Sequence, residues 1–343
     1  MNFIESVYEK LRRLPKRIVF PEGTERRMLK AAELYVKEKL GPAIVLGKRP
    51  EVEEAAEACE VHLKHIHIID PPKSEDFPGF CENLEKLKRY RDLGREEARA
   101  IMLKPHYFAA MMAQYGQADG LVGGANVYSG SLFRPLIHLI KPLPGIETIS
   151  SCTVVETSQK NLGENGVFFL ADCAVIPEPT VNQLAAIAIE AGTLCRQLTG
   201  IRPRVAMLSF STKAKSKLPG PERVAAAAAL AMKRVEKERL DIDIDGEMQL
   251  DTAILPELAK IKGITSAVAG RANVLIFPNL ESGNIGVKLI QHIADANAYG
   301  QMLLGLSRPC GGVSRGATVE EILGVSAIVG LQAIEYRKLY PPI

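Results

Sequence analysis

Four runs of the chain carry residue types that can do chemistry. The first is Asp245-Gly-Glu-Met-Gln-Leu-Asp251, followed by Asn273-Val-Leu-Ile-Phe-Pro278 and Glu281-Ser-Gly-Asn-Ile-Gly286. Acids, amides and glycines here sit at the ends of apolar strand-like runs, where loops of an α/β domain collect ligands. The acids of this run suit a Mg²⁺ or a substrate, and they suit a helix start equally well. Gly283 and Asn284 precede an expected helix of about fifteen residues, a place where backbone amides can meet an oxyanion. The second run, Ser129-Gly-Ser-Leu-Phe-Arg-Pro135, offers the hydroxyls of Ser129 and Ser131 and the Arg134 guanidinium ahead of a helix expected near Pro135. Arginine presents a bidentate fork to phosphate, although an exposed arginine at a helix start has the same spacing. The third run, Leu208-Ser-Phe-Ser-Thr-Lys213, ends a strand and hands Ser211, Thr212 and Lys213 to a loop. It suits the phosphate of a nucleotide-like ligand or a plain polar connector, and it lacks the Gly-Lys-Ser/Thr of a nucleotide-hydrolysing loop. The fourth, Val313-Ser-Arg-Gly-Ala-Thr-Val-Glu-Glu321, places Ser314, Arg315 and Glu321 together. That trio supplies the donor, charge clamp and base of an acyl transfer, while Thr318 and Glu321 also read as a capping box.

The elements that must position these residues alternate. Arg17-Ile-Val-Phe20, Ala43-Ile-Val-Leu46 and Ile66–Ile69 read as strands, with a helix from Glu25 to Leu40 between the first two. A long helix is expected from Arg95 through Met111-Met112, leading to the strand Asp119-Gly-Leu-Val122. Beyond Pro142-Leu-Pro-Gly145, which breaks helix and strand alike, the alternation resumes. Thr180 and Gln183 form a capping box, Arg204 to Phe210 is a strand, Pro221 opens an alanine-rich helix, and Asp241–Asp245 alternates as a strand. The last helix starts near Thr318. Such alternation predicts α/β architecture with mainly parallel sheets.

Bulk properties exclude several classes. At 343 residues the chain suits two domains, and a net charge of +3 argues against nucleic acid or a membrane surface as partner. No apolar run approaches the roughly 18 residues of a spanning helix. The N-terminal Met1–Tyr8 segment reads as an amphipathic helix rather than a leader. Six scattered cysteines without a Cys-x-x-Cys pair point to free thiols in a reducing cytoplasm. His62, His65 and His67 cluster, but His65 and His67 alternate with isoleucine and read as an edge strand, with no metal site expected. No Gly-x-Gly-x-x-Gly follows a strand, which argues against a nicotinamide-linked dehydrogenase. Cys310 has no histidine near it in sequence and is not expected to be a nucleophile.

Together with Leu170-Ala-Asp-Cys-Ala-Val175 and Ser314-Arg315-Gly316, these runs resemble those of phosphate acetyltransferases over nearly the whole chain. The resemblance implies two α/β domains of the isocitrate/isopropylmalate dehydrogenase-like type, here residues 1–145 with 301–343 and residues 146–300, with the active site in the cleft between domains. It implies an enzyme, usually a homodimer, that transfers acetyl between coenzyme A and phosphate through a ternary complex. Coenzyme A is then a substrate, and no cofactor or metal takes part. By position, Ser314 and Arg315 match the family's catalytic pair, Arg134 its phosphate-contacting arginine, and Arg89, within Leu87-Lys-Arg-Tyr-Arg91, a second substrate arginine. Ser129, Ser131, Ser211, Thr212, Lys213, Gly283 and Asn284 complete the expected substrate contacts.

The departures are specific. Glu321 replaces the usual Asp base, Gly311-Gly312 replaces Asn-Asp, Gly123-Gly-Ala-Asn-Val127 lacks the usual histidine, and Ser211-Thr-Lys-Ala-Lys lacks Gly-Ser. These open two alternatives: a propionyl- or butyryl-specific transferase, and a non-catalytic paralogue that binds coenzyme A or acyl phosphate.

Overall fold

The computed structural model describes residues 2–213 and 215–339. In chain order the elements are α1 (Phe3–Arg13), β1 (Ile18–Phe20), α2 (Arg26–Lys37), β2 (Ala43–Leu46), α3 (Arg49–Ala58), β3 (Ile66–Ile69), α4 (Phe77–Glu85), α5 (Arg95–Met102) and α6 (Pro105–Gln114). Next come β4 (Gly120–Gly123), α7 (Ser129–Leu139), β5 (Ser150–Glu156), β6 (Val167–Ala171), α8 (Val181–Thr199), β7 (Arg204–Leu208), α9 (Pro219–Glu238) and β8 (Asp243–Met248). The chain continues through α10 (Leu250–Ile254), α11 (Pro256–Ile261), β9 (Val274–Ile276), α12 (Leu280–Ile293), β10 (Asn297–Leu304), β11 (Cys310–Gly312) and α13 (Val319–Leu339). They group into two compact units, Met1–Gly145 with Leu306–Ile343, and Ile146–Gly305.

In the first unit the strands run β3-β2-β1-β4-β11, every neighbouring pair parallel. β3, which carries His67, is the edge of this sheet, as its alternation suggested. The last helix is buried along its length from Glu321 to Gly330, which is why it is apolar all round rather than on one stripe. It packs on α1, α2 and β4. A Cβ on Gly330 would stand 2.8 Å from Leu11 Cδ2 and 3.0 Å from the Tyr35 hydroxyl, so a glycine is what lets α13 approach. Phe20, Tyr35, Phe77 and Phe108 fill the surrounding core. The single helix expected from Arg95 to Met112 is two, because Pro105 lacks an N–H and disfavours helical backbone at Lys104.

In the second unit the order is β10-β5-β6-β9-β7-β8. β10, β5 and β6 pair antiparallel, and β6, β9, β7 and β8 pair parallel. The Thr180–Gln183 capping box forms as expected, with the Thr180 amide donating to Gln183 Oε1 at 3.0 Å and the Gln183 amide to Thr180 Oγ1 at 3.3 Å. α8 ends at Gly200, whose φ of 76° favours a residue without a Cβ. Leu170, Ala206, Met248 and Leu275 lie in the unit's apolar core. The α/β class with largely parallel strands is thus the one the alternation predicts.

Candidate active site

Two groups of the anticipated residues form, one in each unit. In the first unit the organising element is α7. Its helix starts at Ser129 rather than near Pro135, with Tyr128 as the extended cap residue. Ser129 and Ser131 therefore occupy the first turn, where backbone N–H groups point outward and favour an anion. Pro135 lies inside the helix, where its ring leaves the Ser131 carbonyl without its helical donor; Ser131 is exposed, so solvent can replace it. Arg134 is exposed on the same helix, and Phe133 and Leu136 bury the opposite face.

The Arg315 side chain reaches the start of α7. The Arg315 guanidinium carbon sits 4.4 Å from the centre of the exposed Tyr128 ring. That contact holds a planar cation beside the first turn without neutralising it. Behind them, Arg27 pins the loop. Its Nη1 donates to the Arg315 carbonyl at 2.7 Å and the Ala317 carbonyl at 2.9 Å; its Nη2 donates to the Ala125 carbonyl at 2.8 Å; its Nε donates to Glu25 Oε1 at 2.9 Å. Glu22 pins the other loop, accepting from the amides of Gly124 at 2.8 Å, Ala125 at 3.1 Å and Asn126 at 3.1 Å. Burial works to raise the Glu22 pKa, but the nearby His106 ring and these amides outweigh it and hold the carboxyl below its usual range.

Glu321 is buried at the start of α13 and makes the capping box that its spacing suggested. The Thr318 amide donates to its Oε2 at 2.9 Å and the Glu321 amide to Thr318 Oγ1 at 3.1 Å. Gly311-Gly312 form β11 and have a packing role. A Cβ on Gly312 would fall 2.6 Å from Phe133 Cε1, and one on Gly311 would fall 2.5 Å from Val325 Cγ1. The naked strand lets α7 and α13 lie directly against it. Cys310, on the same strand, is fully buried and its thiol is pushed up by burial, so no thiolate is on offer there.

Arg89 reaches α7 from the segment after α4. Its Nη1 donates to His138 Nε2 at 2.9 Å, and His138 Nδ1 lies 2.8 Å from the Tyr90 hydroxyl. Arg89 and Arg134 both act on His138, which, with burial as the first cause, is held below the usual imidazole range. None of Arg89, Arg134 and Arg315 makes a salt bridge with a carboxylate among the described residues.

In the second unit Ser211 is buried after β7, and its Oγ has no hydrogen-bond partner among the described residues. Thr212 Oγ1 accepts from the Gln249 amide at 3.0 Å and so fixes the start of α10. Lys213 forms a salt bridge with the buried Asp245. Lys262 does the same for Asp251 at 2.8 Å and also donates to Thr252 Oγ1 and Gln249 Oε1. Two of the acids that read as a ligand cluster, Asp245 and Asp251, therefore carry lysine partners. Ala214, between the two lysines of the Lys213-Ala-Lys215 stretch, lies outside the described residues. α12 begins at Leu280 with Asn279 as its cap, earlier than Ser282. The Gly283 amide donates within the helix to the Asn279 carbonyl at 3.2 Å, and the Asn284 carboxamide donates to the Cys173 carbonyl at 3.3 Å. A Cβ on Gly283 would stand 2.3 Å from the Asp172 carbonyl oxygen, so that glycine is the point of close approach to the loop after β6. An open groove of about 1000 Å³ runs along β8, lined by Arg202, Arg239, Asp241 and Asp243 among others. Arg202 pairs with Asp241 and Asp243, leaving no single sign in excess there.

Arg27, Glu22, Tyr128 and His138 carry no motif and were not anticipated. Glu22 had a signal, since it follows the C-terminal end of a parallel strand, where α/β sites collect. His138 had the weaker one of lying four residues after Arg134, one helical turn on.

The family model for phosphate acetyl/butaryl transferases matches residues 2–330. A phosphate acetyltransferase of Thermoanaerobacterium thermosaccharolyticum is 41% identical over 333 residues, covering 97% of this chain and 100% of the relative. Among solved structures, a phosphotransacetylase from Streptococcus pyogenes superposes with a TM-score of 0.87 at 35% identity, covering 98% of this chain and 100% of that one. The EutD phosphotransacetylase from Staphylococcus aureus gives 0.86 at 34% identity, covering 96% and 98%.

Proposed function

The chain belongs to the phosphate acetyl/butaryl transferase family, and from that premise we propose that it transfers an acetyl group between coenzyme A and inorganic phosphate through a ternary complex. The observation that supports the assignment of roles is the stacking of Arg315 on Tyr128 at 4.4 Å, which brings the guanidinium beside the N-terminal turn of α7. Arg315 and Arg134 hold the phosphoryl oxygens of acetyl phosphate, assisted by Ser129, Ser131 and the first-turn amides. Ser314 hydrogen-bonds the reacting acyl phosphate. Glu321 takes the thiol proton as the sulfur attacks the acyl carbon; the carbon–oxygen bond to phosphate then breaks and the thioester forms. Charge developing on the phosphate meets guanidinium groups already in place, so the chemistry asks for no prosthetic group. Arg89 contacts a phosphate of one substrate, and Ser211, whose hydroxyl has no hydrogen-bond partner among the described residues, is a candidate substrate contact of the second unit.

Lys213 takes no phosphate in this scheme, because its ammonium is engaged by Asp245. No helix among the described residues is long and apolar enough to cross a membrane. The six unpaired, buried cysteines support a reducing cytoplasm, and we assign the protein there as a homodimer in keeping with its family resemblance. The test is thioester formation, followed by ultraviolet absorbance, from coenzyme A with acetyl, propionyl or butyryl phosphate. Acetyl phosphate is expected to give the highest kcat/KM. A propionyl or butyryl optimum would move the specificity, and absence of turnover with tight coenzyme A binding would mark a non-catalytic paralogue.

A further inference from the structure

His138 is hydrogen-bonded to Arg89 and feels the charge of Arg134, with no carboxylate bonded to it among the described residues. A guanidinium only donates, so Arg89 Nη1 at 2.9 Å requires Nε2 to be the acceptor. The proton of a neutral ring is then on Nδ1, which donates to the Tyr90 hydroxyl at 2.8 Å. The Tyr90 phenol is pushed up to about 12, by burial first and then by Tyr107, so it stays a neutral partner. Arg89 and Arg134 oppose a third positive charge at His138, in the same direction as burial. The imidazole is thus fixed in one tautomer and kept uncharged.

A neutral acceptor does something a carboxylate would not. Aspartate or glutamate here would aim the guanidinium equally well but would neutralise it, and a phosphate would then compete with an internal ion pair. Imidazole aims the fork and leaves its full charge for an anion. We propose that His138 is the positioning residue of Arg89, a neutral hydrogen-bond acceptor locked by Tyr90 that directs the guanidinium toward a substrate phosphate without drawing off its charge. The inference rests on the reading of Arg89 as a phosphate contact given above.

The experiment is a set of steady-state measurements, with both substrates varied, on the full-length protein. His138→Leu is expected to raise KM for one phosphate-bearing substrate about tenfold, as for losing a hydrogen bond to a charged group, with kcat within about twofold. His138→Gln keeps one acceptor and one donor and should stay within about twofold of wild type, even if His138→Leu folds poorly. His138→Glu keeps the acceptor but adds a charge, and should raise the same KM about as much as leucine does. In an Arg89→Ala background the effect of His138→Leu should vanish, which is the coupling expected of residues acting as one unit. An equal rise in both backgrounds, or an unchanged KM in His138→Leu while Arg89→Ala raises it, overturns the positioning role alone. An unchanged KM in Arg89→Ala would instead overturn the substrate role of Arg89, and the inference with it.

Discussion

Around α7, Arg89, Arg134 and Arg315 are met by an imidazole, by solvent and by a tyrosine ring, and none is paired with a carboxylate among the described residues. In the second unit Lys213 and Lys262 are met by Asp245 and Asp251. By residue type both regions suit a phosphate, with hydroxyls, glycines and a cation at the end of a strand or the start of a helix. The difference lies in what each cation already holds. An unpaired guanidinium attracts an anion directly, whereas Lys213 must first abandon the buried Asp245 and leave its charge stranded, and Lys262 must give up the partly exposed Asp251. Cation count alone is therefore a poor guide to an anion site.

The largest expected effect tests whether the first region is catalytic at all. Glu321→Gln should lower kcat by roughly 10²–10⁴-fold, the range for losing a general base. Glutamine serves as well at the third helical position, and its carbonyl can still accept the Thr318 amide, so the melting temperature should stay within about a degree or two. Full turnover in this variant would leave Glu321 as a cap only.

Next in size, Arg315→Lys should lower kcat/KM by about 10–1000-fold, equivalent to about 1.4–4 kcal/mol of transition-state stabilisation. A lysine keeps the charge but loses both the fork and the stacking on Tyr128. Wild-type kinetics would show that the stacked arginine is only a surface ornament of α7.

The contrasting variant in the second region is Lys213→Met. It should lower the melting temperature by several degrees, since it strands the buried Asp245 carboxylate, and change neither KM by more than about threefold. Adding Asp245→Asn should recover most of the lost stability. A KM effect larger than the stability effect would mean that Lys213 serves substrate and that the contrast between the regions fails.

The smallest effect concerns the loop leading to α7. Glu22 has a depressed pKa in the folded protein, so its stabilisation is present above the carboxyl's unfolded value and is lost as pH falls through the folded one. Glu22→Gln should therefore lower stability near pH 7, by about 1–3 kcal/mol for weakening hydrogen bonds to a charge. The gap from wild type should close as both proteins are melted at progressively more acidic pH. A gap independent of pH would assign the loss to packing instead.

The sequence made most of the fold legible, because strand-helix alternation and capping boxes are local signals. Thr180–Gln183 and Thr318–Glu321 both close as spacing implies. Proline misled in two directions. Pro105 breaks a helix that periodicity joined, and Pro135 sits inside one that it was expected to open. The chemistry of Ser314, Arg315 and Arg134 was legible from residue type and from family resemblance. Arg27 was not, since its carbonyl partners at 125, 315 and 317 are about a hundred to nearly three hundred residues away. The pairing of Lys213 with Asp245 was hidden for the same reason: it depends on β7 and β8 lying side by side.

Gly312, with Phe133 lying across it, has a consequence for how such sequences change over time. A methyl group on the strand would overlap the ring edge at 2.6 Å, so neither position is free to vary alone. Enlarging the strand residue would be tolerated once position 133 shrank, and a smaller side chain at 133 would leave a gap that a larger strand residue could fill. Related chains should therefore show substitutions at these two sites arriving as pairs, large against small. Alignments deep enough to resolve that correlation would find the spacing between helix and strand conserved while both residues that set it turn over.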